Sequence, residues 1–132
     1  MTKLLAFIVF FVMFFYLVLN TSLVSEKALE WVNKHPKDSS APEVLYRTAR
    51  WCDYLGDDAR AVADYWELYL RYPERGDLCA PGLYHAADLL RQTIPGKQRA
   101  RNCLEIVMSQ YEANEEWNTK AKRLYDEINF MR

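Results

Sequence analysis

The chain opens with an unbroken apolar run and continues with a longer stretch in which apolar residues return at helical spacing. Residues 4–19 read LLAFIVFFVMFFYLVL, without a charged or amide side chain. At about 1.5 Å per residue these positions make roughly 24 Å of helix, short of the roughly 30 Å hydrocarbon core of a bilayer. Continuing through Asn20, Thr21 and Ser22 to Leu23 and Val24 supplies the missing length. Neither Gly nor Pro falls between Lys3 and His35, so the pattern predicts a helix that runs on past the span, with Ala28, Leu29 and Val32 keeping its rhythm. Residues 1–24 are thus expected to form a transmembrane or signal-anchor helix, and residues 25–132 a separate domain.

Within that domain the spacing predicts only helices. Leu45, Ala49, Cys52 and Leu55 form one apolar stripe, with Pro42 in the first turn, where its missing N–H costs nothing. Gly56 is expected to close this helix in the left-handed conformation, and Asp57 or Asp58 to cap the next. Ala61, Tyr65 and Leu68 face back, and the small Ala49 and Ala61 permit close backbone approach. Pro73 ends the second helix. A further pair is predicted at about 81–93 and 97–112, with Pro81 in the first turn and Ile94-Pro95-Gly96 between them. A last helix at about 116–130 places Trp117, Ala121, Leu124 and Ile128 on one face.

These segments also repeat. Glu30 to Pro36 (EWVNKHP) aligns with Glu67 to Pro73 (ELYLRYP), and each is followed by a polar stretch and then Ala-Pro, at Ala41-Pro42 and Ala80-Pro81. Leu-Tyr follows each time, at Leu45-Tyr46 and Leu83-Tyr84, with Ala49 and Ala87 four residues beyond the Leu. Gly56-Asp57-Asp58 ahead of Ala61, Tyr65 and Leu68 has its counterpart in Gly96-Lys97 ahead of Ala100, Leu104 and Val107. The pattern resembles the tetratricopeptide repeat over roughly residues 26–130, as half a repeat, two full repeats and a closing helix. The stretch at 56–73 (G-D-D-A-x-A … Y … Y-P) is most similar to the variant found in bacterial cell-envelope proteins that assist outer-membrane assembly and division. The second unit departs from it, ending Tyr111-Glu112 without proline, with a longer turn and with Gln92 in a neighbourhood that was apolar before. The resemblance implies stacked helix pairs in which the first helix of each pair lines a concave binding groove.

Charge refines the picture. Of 17 Lys and Arg only Lys3 precedes the apolar run, and all 18 Asp and Glu follow it, so the domain surface is nearly balanced. That excludes a polybasic nucleic-acid binder, which needs surplus cations to release counterions. A content of 51% hydrophobic and 14% aromatic residues excludes disorder. About 110 residues outside the apolar run suffice for one small domain.

The apolar run admits a second reading as a cleaved signal peptide. Its candidate cleavage sites are poor, because NTS, LVS and EKA each place a large or charged residue in the site. A lipoprotein anchor is excluded, the first cysteine being Cys52. Lys3 on one flank and Lys27, Lys34 and Lys37 on the other leave the positive-inside count nearly even. The short head is typical of an N-inside signal anchor, which places the domain outside the cytoplasm, in the periplasm if the cell-envelope resemblance holds. Asn20-Thr21-Ser22 matches a glycosylation acceptor but sits at the membrane surface and carries no weight.

Candidate chemistry is sparse. His35 and His85 lie on different helices, and no HExxH, CxxC or paired-carboxylate arrangement occurs. No cofactor or metal is expected, the three cysteines are expected as free thiols, and no enzymatic activity is expected. Recognition is the better prospect. By helical spacing the faces away from the core carry Tyr46, Arg47, Arg50, Asp53 and Tyr54, then Tyr84, His85, Asp88 and Arg91, then Asn118, Lys122 and Tyr125. Rings supply contact area and guanidinium groups pair with carboxylates, a combination suited to an extended peptide or a partner helix. The expected function is a membrane-anchored helical-repeat adaptor for a protein or peptide partner near the bilayer. The alternative is a structural accessory subunit held in a larger membrane complex through its transmembrane helix.

Overall fold

The computed structural model of the chain describes residues 1–130, so Met131 and Arg132 at the end of the expected 25–132 domain lie outside the described residues. Seven helices follow one another: α1 (Thr2–Leu19), α2 (Thr21–Lys34), α3 (Ala41–Tyr54), α4 (Asp58–Arg71), α5 (Gly76–Leu90), α6 (Gly96–Gln110) and α7 (Glu115–Phe130). No strand occurs among the described residues.

The first departure from expectation is at Asn20. Here φ −82° and ψ 88° interrupt the helix that the sequence carried through to residue 34. The cause is a local competition: the Asn20 side chain accepts a hydrogen bond from the Leu23 amide at 3.2 Å and so caps α2 instead of continuing α1. The apolar helix therefore ends at Leu19 rather than at residue 24. Leu23 and Val24 are half-buried on the domain. Helix α1 is exposed along nearly its whole length and is long and apolar enough to cross a membrane.

From α2 onward each helix packs on the next. In addition α2 touches α4, α3 touches α5 and α5 touches α7, whereas the backbones of α4 and α6 stay apart and meet through the Tyr69 hydroxyl, which donates to Gln110 at 2.9 Å. The stack is thus tighter on the side of α3, α5 and α7. Its core is built from the stripes the spacing predicted: Leu45, Ala49 and Cys52 from α3, and Ala61, Tyr65 and Leu68 from α4. Ala100, Leu104 and Val107 follow from α6, and Ala121, Leu124 and Ile128 from α7. Burying one such Leu or Ile contributes about 1.5–3 kcal/mol. Leu55 does not join them; it sits past the last turn of α3 and is exposed, because Gly56 turns the chain away at φ +80°. Asp57 is the residue that caps α4, accepting from the Arg60 amide.

Helix α5 corrects the sequence reading most clearly. It begins at Gly76, so Pro81 lies inside it rather than in its first turn, and Cys79 is helical rather than ahead of the helix. The extra turn is held by burial: Cys79 packs with Val32, Ala41, Leu45 and Leu68, with Leu78 against the same cluster. The carbonyl that Pro81 leaves without its N–H partner belongs to Asp77, still in the first turn, where the helix tolerates the loss. The following turn is tight. A Cβ on Gly96 would stand 2.1 Å from the Leu90 carbonyl oxygen, so only glycine fits there.

One device recurs along the stack. Tyr72 at the end of α4 donates its hydroxyl to the Pro36 carbonyl at 2.7 Å, and Tyr111 at the end of α6 donates to the Pro73 carbonyl at 2.6 Å. Each tyrosine clips the end of one helix pair to the end of the pair before it. Deeper in, the Asp64 carboxylate is buried and its two oxygens lie 3.0 and 2.9 Å from the Ser25 hydroxyl, with the Cys52 thiol at 4.0 Å. Burial pushes this carboxyl up from its ordinary value.

Candidate functional site

Helices α3, α5 and α7 present one face, and most of the residues expected there meet on it. Tyr46 of α3 lies 6.2 Å from the ring of Tyr65. Tyr65 in turn lies 6.0 Å from the imidazole of His85 on α5. His85 and Tyr84 each pack on Trp117 of α7, at 5.6 and 5.4 Å. Five rings therefore run continuously across four helices, Tyr65 coming from α4, at separations ordinary for edge and tilted packing. The band is possible because Gly82 lets α5 approach Tyr65: a Cβ there would stand 3.2 Å from the ring.

Charged groups border the band. The Arg50 guanidinium stands 5.3 Å over the Tyr54 ring and 3.3 Å from the Asp53 carboxylate, so its partner is Asp53 and not Asp88. Asp88 is paired with Arg91 at 2.8 Å, and Arg91 reaches on to Glu127 of α7 at 3.1 Å. The Lys120 ammonium lies 4.3 Å over Trp117. Arg50, Asp53 and Tyr54 line a small open cleft at one edge.

Two buried groups set the electrostatics. The Tyr65 hydroxyl, in a residue only 1% exposed, has no partner in good hydrogen-bond geometry, with Arg50 and Asp53 beside it. Burial pushes its ionisation far up, with Arg50 pulling the other way. The His85 imidazole is pushed down to about 4 by burial and by the Arg50 charge, so at neutral pH it is uncharged. The band is thus an uncharged aromatic surface between two ion pairs, Arg50–Asp53 on α3 and Lys120–Glu116 on α7.

Some expected members are elsewhere. Arg47 is exposed and makes no hydrogen bond, ion pair or ring contact with the others. Asn118 is buried rather than on the open face, its amide nitrogen 3.5 Å from the Glu112 carbonyl in the turn after α6. Lys122 is exposed, while Tyr125 donates to Glu105 of α6. Conversely, Trp117 and Lys120 belong to the site although sequence spacing placed Trp117 in the core and passed over Lys120, while Tyr65 is in the core as expected and backs the band from beneath. A usable signal was present: Trp117 and Lys120 are three residues apart, the spacing at which helical side chains meet.

Chemically the face offers apolar area and charge pairing. Among the described residues no three His, Cys, Asp or Glu side chains converge as metal ligands. Cys52, Cys79 and Cys103 are buried thiols, burial raising the first two to about 11 and Cys103 to about 12. Comparison with protein-family models, with curated proteins and with solved structures finds no match to this chain.

Proposed function

We propose that the chain is a membrane-anchored adaptor of tetratricopeptide-like architecture, which docks an extended peptide or a partner helix on its α3/α5/α7 face near the bilayer. The observation that supports it is the row of Tyr46, His85, Trp117 and Tyr84, backed by the buried Tyr65, between Arg50 and Lys120. Aromatic side chains with few rotatable bonds lose little entropy when a partner covers them. Peripheral arginine and lysine then select a partner that carries carboxylates. In this reading the protein is a non-enzymatic single-pass membrane protein whose domain stands on the extracytoplasmic side, and α1 serves as its retained anchor.

The test is to exchange Tyr46 and Arg50 together for Ala in the full-length protein and recover it with its companions in mild detergent. Both side chains are only partly buried, so helicity by circular dichroism is retained. Partner recovery is expected to fall at least tenfold; an unchanged set of companions would reject the reading.

A second reading rests on α1 itself. Phe7 stacks on Phe11 at 5.9 Å and Phe11 meets Phe15 at 4.9 Å, which gives the helix an aromatic ridge along one side. Such a ridge suits packing against other transmembrane helices, as in an accessory subunit of a larger complex. Replacing α1 by an unrelated apolar helix separates the two: an adaptor keeps its partner, and a subunit leaves its complex.

A further inference from the structure

Between Thr21 and Phe130 six large apolar side chains are exposed: Trp51, Tyr54, Leu55, Leu70, Ile94 and Phe130. Five of them lie at one end of the stack. Trp51, Tyr54 and Leu55 close α3, Ile94 is in the turn between α5 and α6, and Phe130 ends α7. A chain of contacts ties these places together. Asp58 and Thr93 line the same cleft, of about 320 Å3, between the two turns. Arg91 bridges to Glu127, and Arg101 donates to Asn129 at 3.0 Å.

The same end holds the root of α1. The Trp51 indole N–H donates to the Val18 carbonyl at 2.8 Å, and the Thr21 hydroxyl donates to Asp57 at 2.6 Å. An apolar helix of 18 residues is roughly 27 Å long, so a bilayer that it spans ends within a turn of Leu19. The side chains fastened to Val18 and Thr21 therefore stand at headgroup depth. Trp and Tyr favour that layer, where a ring is half in hydrocarbon and its polar atom stays wet. Ile94 and Phe130, 83% and 86% exposed, have no partner that repays their hydration elsewhere on the domain. Arg99, exposed beside them on α6, has no carboxylate within ion-pair distance among the described residues, so its long stem is free to reach lipid phosphate, whereas Arg101 is held by Asn129 and Gln98.

We propose that this end of the helix stack, carrying Tyr54, Leu55, Ile94 and Phe130, rests on the phospholipid surface in which α1 is embedded. The domain is then laid on the bilayer with its aromatic face held at a fixed height, not suspended from a flexible tether. The inference rests on the anchor reading of α1, and its test keeps the two apart.

Single cysteines are introduced in the full-length protein by Phe10→Cys, Tyr54→Cys, Ile94→Cys and Leu70→Cys and labelled with a small fluorophore. The native thiols are buried and stay unreacted. Each protein is reconstituted in phosphatidylcholine vesicles and quenched either by brominated acyl chains or by aqueous iodide. Probes at Tyr54 and Ile94 are expected to lose emission to brominated lipid and to be shielded from iodide. The probe at Leu70, 68% exposed at the opposite end, is expected to do the reverse. An Ile94 probe as open to iodide as that at Leu70 overturns the proposal, while a Phe10 probe quenched by lipid leaves the anchor standing. Shielding of Ile94 from both quenchers overturns it in favour of a protein neighbour. A Phe10 probe open to iodide removes the anchor reading and this inference with it.

Discussion

At the scale of single residues, two side chains of the aromatic band make sharp statements. Tyr65 buries a hydroxyl that lacks a partner in good hydrogen-bond geometry, although Arg50 and Asp53 stand beside it. Tyr65→Phe removes that atom and keeps the ring, so stability to urea is expected to stay level or rise by up to ~1 kcal/mol; a loss of more would mean that the hydroxyl is satisfied in solution. His85 gives a pH dependence. Its folded pKa of about 4 lies below the ordinary 6.5, so on acidification protons bind the unfolded chain first. The contribution is complete above about pH 6.5, declines as pH falls toward about 4, and declines no further below that. The charged groups acting on the imidazole are Arg50, Asp88 and Lys120, and the rings packed on it are Tyr65, Tyr84 and Trp117. Because Asp64 is shifted up by its own burial and works in the opposite sense, the measurement is a difference between wild type and His85→Gln. The variant is expected to lose less stability between pH 7 and pH 4.5; parallel curves would refute the shift.

At the scale of elements, periodicity carried much and local bonding decided the rest. The stripes on α3, α4, α6 and α7 were legible because each small or bulky residue recurs in phase, and burial follows that phase. What was not legible depended on competition within one turn. Asn20 has no helix-breaking reputation comparable to Gly or Pro, yet its amide oxygen captures the Leu23 N–H and splits α1 from α2. Pro81 looked like a first-turn residue by analogy with Pro42, and only the packing of Leu78 and Cys79 shows why α5 starts a turn earlier. The tyrosine clips escaped notice although their residues were in view, since a hydroxyl-to-carbonyl bond across thirty-six positions has no periodic trace. They are testable. Tyr111→Phe keeps the ring over Gly76 and removes the bond to Pro73, so the domain is expected to lose about 1 kcal/mol in urea unfolding. Amide exchange should accelerate most in the turn after α4. An unchanged midpoint would mean that water replaces the bond without cost.

For the whole molecule the junction between α1 and the stack governs how the candidate site is presented. The site itself was half legible: aromatic and basic residues on α3 and α5 were readable from their spacing, but the band exists only because Trp117 swings across from α7. The junction was not legible, because Trp51 and Val18 are joined by a side chain and a carbonyl with no pattern linking them. Trp51→Phe retains the apolar ring and deletes the indole donor. It is expected to broaden the distance distribution between spin labels on α1 and α4, since losing about 1 kcal/mol raises minor orientations roughly fivefold. A distribution of unchanged width would show that the bond does not orient the anchor.

The break at Asn20 has a mechanical corollary. A continuous rod from α1 into α2 would pass any tilt of the anchor straight along the outer side of the stack. With that rod cut and Trp51 acting as a strut, leverage from the anchor falls on the C-terminal turn of α3, one residue from Arg50. In the anchored reading proposed above, bilayer thickness, which sets the inclination of such a helix, would pull directly on the edge of the aromatic band, and a thinner or thicker membrane would alter the grip of Arg50 on a partner beside it.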